Sequence, residues 1–255
     1  MNAWIAAATI VSLATLGGAA VWAQQPSVTL SPAALKEIAE VEAVIDRIEA
    51  QTLERLATPP NNEVQQVELL GKAMLYDKQL SVNRNQACAF CHMPETGFTG
   101  PVSELNRTTG SYPGSVRTRF SNRKPQTHTY APLSPVLHYN PGQGDLVGGN
   151  FWDMRATGRR LGNPAAEQAE GPPTNPVEMG LPDIACAVYR ASQRPYRALF
   201  KRKWGAQALP SGGLVTWSKC VISPAHLPRT IRCRSISRSW IAAVPPPPSI
   251  RWHSL

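Results

Sequence analysis

The pentapeptide Cys88-Ala89-Phe90-Cys91-His92 constrains the possible fold and chemistry of this chain more than any other segment. Two thiols three positions apart can each add to a vinyl group on one edge of a porphyrin, and the adjacent imidazole can then turn toward the iron. The spacing predicts one covalently attached c-type haem, bound through Cys88 and Cys91, with His92 as an axial ligand of the iron.

A C-x-x-C spacing also occurs in redox-active dithiols and in zinc sites. A thioredoxin-like dithiol stands at a helix start within a βαβ pattern, and no such pattern surrounds Cys88. A zinc site needs a second pair of ligands, and the remaining cysteines, Cys186, Cys220 and Cys233, are not suitably spaced to supply one. Both remain alternatives, and the haem site is favoured over them.

Whether a side chain binds the second face of the iron distinguishes an electron carrier from an enzyme. A Met or His there gives a carrier, whereas an open face permits a reaction. Met93 follows the axial histidine directly and cannot reach the other face. On sequence distance alone, the candidates for this ligand are His128, His138, Met154 and Met179. Each such residue is more often a core or surface residue than a ligand.

The N-terminus has the pattern of a secretory signal peptide. Residues 1–23 carry no charged side chain, the run from Trp4 to Ala20 is apolar, and small residues at Val21 and Ala23 suit a signal peptidase. An uncleaved membrane anchor is the alternative, but the apolar run is short for a span. We therefore expect cleavage, export and no stable membrane span afterwards.

Apolar periodicity predicts a long helix after the signal peptide. Ser31 is a suitable N-cap and Pro32 a suitable first helical residue, and Pro59 and Pro60 stop the helix. Its apolar positions recur every three or four residues and form one face: Leu35, Ile38, Val41, Val44, Ile45 and Ile48. This helix forms an N-terminal extension over residues 24–60.

The rest of the chain is expected to be helical with one long irregular segment. Helices are predicted over 63–78, near Pro164 and over 184–204, and no run of alternating strands is visible. Residues 83–150 are rich in Gly, Pro, Asn and Ser. This segment is too long to be a featureless loop in a compact domain, and wrapping around a cofactor would explain its length. The predicted fold is mostly α, with a cytochrome c-like haem domain over 61–207.

Four motifs surround the C-x-x-C-H pentapeptide in a distinctive order. They are Leu-Gly-Lys-Ala-Met-Leu-Tyr-Asp over 70–77 with Leu80-Ser81, Met-Pro-Glu-Thr-Gly-Phe-Thr over 93–99, Phe-Trp-Asp-Met-Arg-Ala over 151–156, and Asn-Pro-Val-Glu-Met-Gly over 175–180. Together they resemble bacterial di-haem cytochrome c peroxidases, including the methylamine-utilisation maturation enzymes. The pentapeptide then matches the haem that reacts with peroxide.

The resemblance implies roles for further residues. Trp152 matches the tryptophan that relays electrons between two haems. Gln168, Pro172 and Glu178 match residues of the distal pocket, where Glu178 would donate and accept a proton. Asn122 lies near the position of a calcium ligand between two domains. Core packing of Trp152 and solvent exposure of Gln168 and Glu178 are the competing interpretations.

The same resemblance implies a function. It predicts a periplasmic oxidoreductase that holds one haem c, and calcium in addition, and reduces hydrogen peroxide with electrons from a small cytochrome c or cupredoxin. A mono-haem electron-transfer protein and an inactive fragment are the alternatives.

The C-terminal part departs from the family pattern. The net charge is +9, and the whole excess lies in residues 201–255, which contain no Asp or Glu, so it does not indicate a nucleic-acid partner.

A second C-x-x-C-H is expected after residue 204, but neither Cys220 nor Cys233 is followed by His. We expect residues 208–255 to be a disordered Pro-, Ser- and Arg-rich tail from a shifted reading frame, with the second haem domain missing and activity impaired. A genuine basic tail is the alternative.

Overall fold

The computed structural model describes residues 28–205. The predicted signal peptide and the predicted tail both lie outside the described residues. The helices are α1 (Pro32–Arg55), α2 (Glu63–Leu75), α3 (Ser103–Thr108), α4 (Pro164–Ala169), α5 (Ile184–Ser192) and α6 (Arg197–Trp204). Strands β1 (His138–Asn140) and β2 (Asp145–Val147) pair antiparallel. None of the helices within residues 28–205 is long and apolar enough to cross a membrane. The prediction of a mostly helical chain with long irregular loops and a preceding N-terminal helix is confirmed.

Helix α1 begins as its sequence predicts. The hydroxyl of Ser31 accepts a hydrogen bond from the amide of Ala34 at 3.1 Å, which caps the helix. Ala34, Ile38 and Ile45 face the core, whereas Leu35 is 53% exposed. The placement of Leu35 on the buried face was therefore wrong, because it lies about 100° around the helix from Ala34.

Two clusters of buried residues enclose the C-x-x-C-H segment. The first core joins α1, α3 and the following loop, and includes Ile38, Ile45, Phe90, Val102, Leu105, Tyr112 and Phe120. The second core joins α2, α5 and α6, and includes Leu69, Leu70, Ala73, Met179, Ala191, Tyr196 and Leu199. Cys91 packs against the first core and Cys88 against the second. The pentapeptide thus lies where the two cores meet.

The predicted single helix over 184–204 is wrong, because the chain forms two helices there. Helix α5 ends at Ser192 and α6 begins at Arg197. Pro195 lies in the break, and proline has no amide hydrogen and clashes with the preceding turn of a helix. The break lets α6 pack against α2.

A buried carboxylate connects three parts of the fold. Asp77 has no exposed surface and accepts hydrogen bonds from Nε of Arg194 at 2.8 Å and the hydroxyl of Tyr196 at 2.7 Å. Arg194 also donates to Glu49 of α1 at 2.7 Å. Burial and the charge of Asp77 raise the pKa of Glu49 and that of Tyr196. This network holds the segment before the pentapeptide against α1 and α6.

Asp77→Asn is expected to lower the free energy of unfolding by about 3 kcal/mol, because Arg194 and Tyr196 lose a buried charged acceptor. Asp46→Asn is the matched control, since Asp46 pairs with Lys78 at a half-exposed position; it should change stability by less than about 1 kcal/mol. Urea unfolding of both variants measures the difference. Equal effects would show that the buried network does not stabilise this part of the fold.

Candidate haem-binding site

The pentapeptide folds into a tight turn. Residues Cys88–Phe90 form one turn of 3₁₀ helix, and the carbonyl of Cys88 accepts hydrogen bonds from the amides of Cys91 at 3.1 Å and His92 at 3.0 Å. Both cysteines are half-buried free thiols. Two unbridged thiols beside an imidazole are the groups that attachment of a c-type haem requires.

The environment of the two thiols opposes a redox role. Burial, assisted by the charge of Glu178, raises the pKa of Cys88 to about 11. The same two causes raise the pKa of Cys91 still further. A redox dithiol needs a thiol whose pKa is lowered, usually at a helix N-terminus or beside a cation. The structure therefore favours the haem site over a thioredoxin-like dithiol.

A chain of polar contacts reaches Cys91 from helix α1. Gln86 is buried, and its Nε2 donates to Sγ of Cys91 at 3.7 Å. The Oε1 of Gln86 accepts from Arg117 at 2.5 Å, and Arg117 pairs with Glu42 of α1. The Arg117 guanidinium also lies 5.0 Å from the centre of the Phe90 ring. Sequence reasoning missed this chain, because no motif marks Gln86 or Arg117.

His92 is oriented by a strained piece of backbone. Its Nδ1 lies 3.1 Å from the carbonyl oxygen of Phe98. Gly97 and Phe98 both have positive φ, 69° and 56°, a conformation that a bulky residue such as Phe98 rarely adopts. Burial lowers the pKa of His92, while the carbonyls of Phe98 and Gln126 act in the opposite direction. With Nδ1 directed at the Phe98 carbonyl, Nε2 is the ring nitrogen that would bind a metal.

The four candidates for a second axial ligand lie in different environments. The ring of His128 stacks on that of His92, with centroids 3.7 Å apart and an interplanar angle of 16°. Burial and the nearby His92 lower the pKa of His128 to about 4. Met179 is only 3% exposed and packs in the second core. His138 is exposed on β1, and Met154 is half-buried with a positive φ of 57°.

Glu178 is held close to the pentapeptide. Its Oε1 accepts a hydrogen bond from the side-chain Nδ2 of Asn175 at 2.6 Å, and its charge acts on both thiols. Burial raises the pKa of Glu178, while the Asn175 bond and the Arg155 charge lower it. The amide of Ser115 donates to the Glu178 carbonyl at 2.7 Å. A Cβ at Gly114 would lie 2.6 Å from that same carbonyl oxygen, so only glycine permits this approach.

Gln168 and Pro172 also lie near this region. Gln168 on α4 is 7% exposed, and its Oε1 lies 3.5 Å from Nε2 of Gln126. Gln126 is the residue whose carbonyl acts on the proposed axial histidine. The carbonyl of Pro172 accepts from the amide of Met179 at 3.2 Å, which connects it to the Glu178 segment. Gln168 is thus buried rather than solvated.

Trp152 and Asn122 lie at the surface. Trp152 is 67% exposed, so the alternative of ordinary core packing does not apply to it. The guanidinium of Arg123 lies 4.4 Å from the centre of its ring, which is a cation–π distance. Asn122 is exposed as well. Between residues 28 and 205, no group of three or more His, Cys, Asp or Glu side chains is arranged to hold a metal ion.

Comparison with known proteins identifies the family. The family model described as di-haem cytochrome c peroxidase matches residues 65–224, a range that continues past residue 207, the predicted end of the haem domain. The chain is 36% identical over 141 residues to the methylamine utilization protein MauG of Paracoccus denitrificans (strain Pd 1222), which corresponds to 55% of this chain and 34% of that protein.

Solved structures of a diheme peroxidase are also similar. BthA of Burkholderia thailandensis is 29% identical with a TM-score of 0.47, over 55% of this chain and 32% of that chain. A variant of BthA is 28% identical with a TM-score of 0.48, over 56% and 34%. This chain spans about a third of the length of each of these relatives. Because the family model covers more than half of the chain, around a pentapeptide whose geometry suits a haem, the chain belongs to the di-haem cytochrome c peroxidase family.

Proposed function

We propose that this chain is a c-type haem oxidoreductase that binds one haem c covalently and reduces hydrogen peroxide. The observation that carries the proposal is the grouping of two unbridged thiols with an adjacent His92, whose Nδ1 lies 3.1 Å from the carbonyl oxygen of Phe98. Membership of the family supports the same conclusion. Residues 61–207 form the proposed haem domain, and residues 24–60 its N-terminal extension.

Three residues hold the haem in this proposal. Cys88 and Cys91 form the two thioether bonds, and Nε2 of His92 binds the iron while Nδ1 donates to Phe98. The haem, when bound, would supply the redox-active iron for the two-electron reduction of hydrogen peroxide. The polar chain through Gln86 keeps the Cys91 sulfur in place.

Glu178 moves the proton that the reaction requires. Its carboxylate accepts a proton from one oxygen of hydrogen peroxide and returns it to the other oxygen, which leaves as water. The whole conversion consumes two electrons and two protons for each peroxide and yields two waters. The hydrogen bond from Asn175 orients the carboxylate, and Gln168 and Pro172 line the same pocket by resemblance to the family.

Electrons arrive from outside this part of the chain. We propose a small periplasmic cytochrome c or cupredoxin as the donor and a second haem domain as the entry point, as the family resemblance implies. The exposed ring of Trp152 is the proposed relay between the two haems. Calcium near Asn122, with further ligands from outside the described residues, belongs to the same proposal. We also propose that the protein acts in the periplasm after cleavage of the signal peptide.

Expression together with haem-maturation machinery tests the proposal. A pyridine haemochrome assay should find one covalent haem c per chain, and the ferric spectrum should be high-spin, because one iron face is open. Stopped-flow mixing of the ferrous protein with hydrogen peroxide should oxidise two chains per peroxide. A protein without covalent haem would refute the proposal. A low-spin haem that peroxide does not oxidise would instead indicate a mono-haem electron carrier.

A further inference from the structure

A second imidazole lies flat against the proposed axial ligand. The rings of His92 and His128 are nearly parallel, with an interplanar angle of 16° and centroids 3.7 Å apart. At this separation the two faces are in van der Waals contact. His128 lies outside the C-x-x-C-H pentapeptide and outside the motifs that resemble the family. The contact therefore needs an explanation of its own.

The backbone holds His128 in this position. The hydroxyls of Thr127 and Thr129 both donate to the carbonyl of Gly97, the latter at 3.0 Å. The amide of His128 donates to the carbonyl of Phe98 at 3.3 Å. Residues 127–129 are thus bound directly to the segment that orients the axial histidine.

The two contacts of His92 restrict two different motions of its ring. The hydrogen bond from Nδ1 to the Phe98 carbonyl sets the direction in which Nε2 points. A single hydrogen bond at one edge of the ring restrains rotation about that direction only in part. A flat ring packed on one face of His92 removes this rotation, because turning the imidazole would bring its edge into the atoms of His128.

We propose that His128 is a positioning residue, which fixes the rotational angle of the His92 ring about its bond to the haem iron. This inference rests on the haem-binding function proposed above. If His92 binds the iron through Nε2, a ring stacked flat on its face would lie beside this ligand rather than across the iron from it. His128 is therefore a neighbour of the proximal ligand and not the ligand on the second face.

Spectroscopy of the haem-loaded protein tests this role. His128→Phe keeps a flat ring without a nitrogen, while His128→Ala and His128→Leu remove the flat face, the latter with most of the volume retained. The iron–histidine stretching band of the ferrous protein and the electron paramagnetic resonance of the ferric protein report the orientation of the axial ring. We expect a shifted and broadened band with Ala and Leu and a wild-type band with Phe. Tyr130→Ala is the control, because Tyr130 lies in the same loop as His128 but is 72% exposed, and its spectra should be those of the wild type.

Haem content, measured by pyridine haemochrome, separates the two proposals. If wild type binds no covalent haem, the proposed function fails, and this inference fails with it. If haem is present and His128→Leu or His128→Ala gives the wild-type spectra, only the positioning role is refuted. If His128→Phe changes the spectra as much as His128→Leu does, the nitrogen rather than the flat face is required, and the positioning role is again wrong. The Leu variant serves for the comparison if the Ala variant does not fold.

Discussion

The double variant Cys88→Ala/Cys91→Ala should retain no haem after acid–acetone extraction. Both thioether bonds are then absent, and coordination by His92 alone does not resist the extraction. Each single variant keeps one thioether and should retain a reduced amount of covalent haem. The pyridine haemochrome spectrum of the extracted protein measures both quantities, because its band position also depends on how many vinyl groups have reacted.

Two controls test whether the loss of covalent haem comes from the missing thiols. Serine variants of Cys88 and Cys91 keep nearly the same volume but cannot form a thioether, so they should behave as the alanine variants do. His92→Gly removes the axial ligand and keeps both thiols, so the haem should stay covalent while its spin state changes and the protein becomes less stable. Covalent haem in the double alanine variant would contradict attachment at these two residues.

Local sequence signals predicted the starts of helices well. Ser31 caps α1 through its hydroxyl, and α4 begins at Pro164 with the Asn163 side chain accepting from the amide of Ala166. Such contacts span only a few residues, so the sequence contains all of their partners. The break at Pro195 was also visible in the sequence, but apolar residues continue on both sides of it and suggested one helix.

The irregular segment 83–150 was harder to interpret. We expected a cofactor to replace a core that this segment could not build. Several of its residues nevertheless pack with α1 in the first core: Val102, Leu105, Tyr112 and Phe120. Their spacing has no period of two or 3.6 residues, because α3 is short and the rest is loop, so periodicity could not reveal them. The hairpin of β1 and β2 was missed because each strand has three residues.

The candidate site also has residues that could be predicted from the sequence and residues that could not. The residues that bear the chemistry stand in a recognisable motif, and the pentapeptide alone indicates a haem. The residues that orient them were not predictable, because they act through the backbone or over long sequence distances. Phe98 stands in one of the quoted motifs, but the motif does not reveal that its carbonyl orients His92. His128 contacts His92 from a loop 36 positions further along the chain.

Glu178→Gln should leave haem attachment unchanged and slow the oxidation of ferrous protein by hydrogen peroxide about a hundred- to ten-thousand-fold, the usual contribution of general acid–base catalysis. The amide keeps the shape of the side chain but cannot exchange the proton. Stopped-flow mixing of pre-reduced protein with peroxide measures this step and needs no second haem. Glu95→Gln is the matched control, because Glu95 lies three residues after His92 but is exposed, and its rate should stay close to that of the wild type.

The pH dependence of the same step identifies the group. Burial raises the pKa of Glu178 above the ordinary value of 4.5. The carboxylate, which accepts the first proton, is present above this raised pKa and is lost as the pH falls through it. The wild-type rate should therefore decline in acid, starting at a higher pH than for an exposed glutamate, and Glu178→Gln should lack this decline. Equal rates for the two proteins would show that Glu178 is not the acid–base residue, and electron transfer by a single haem would then describe the chain better.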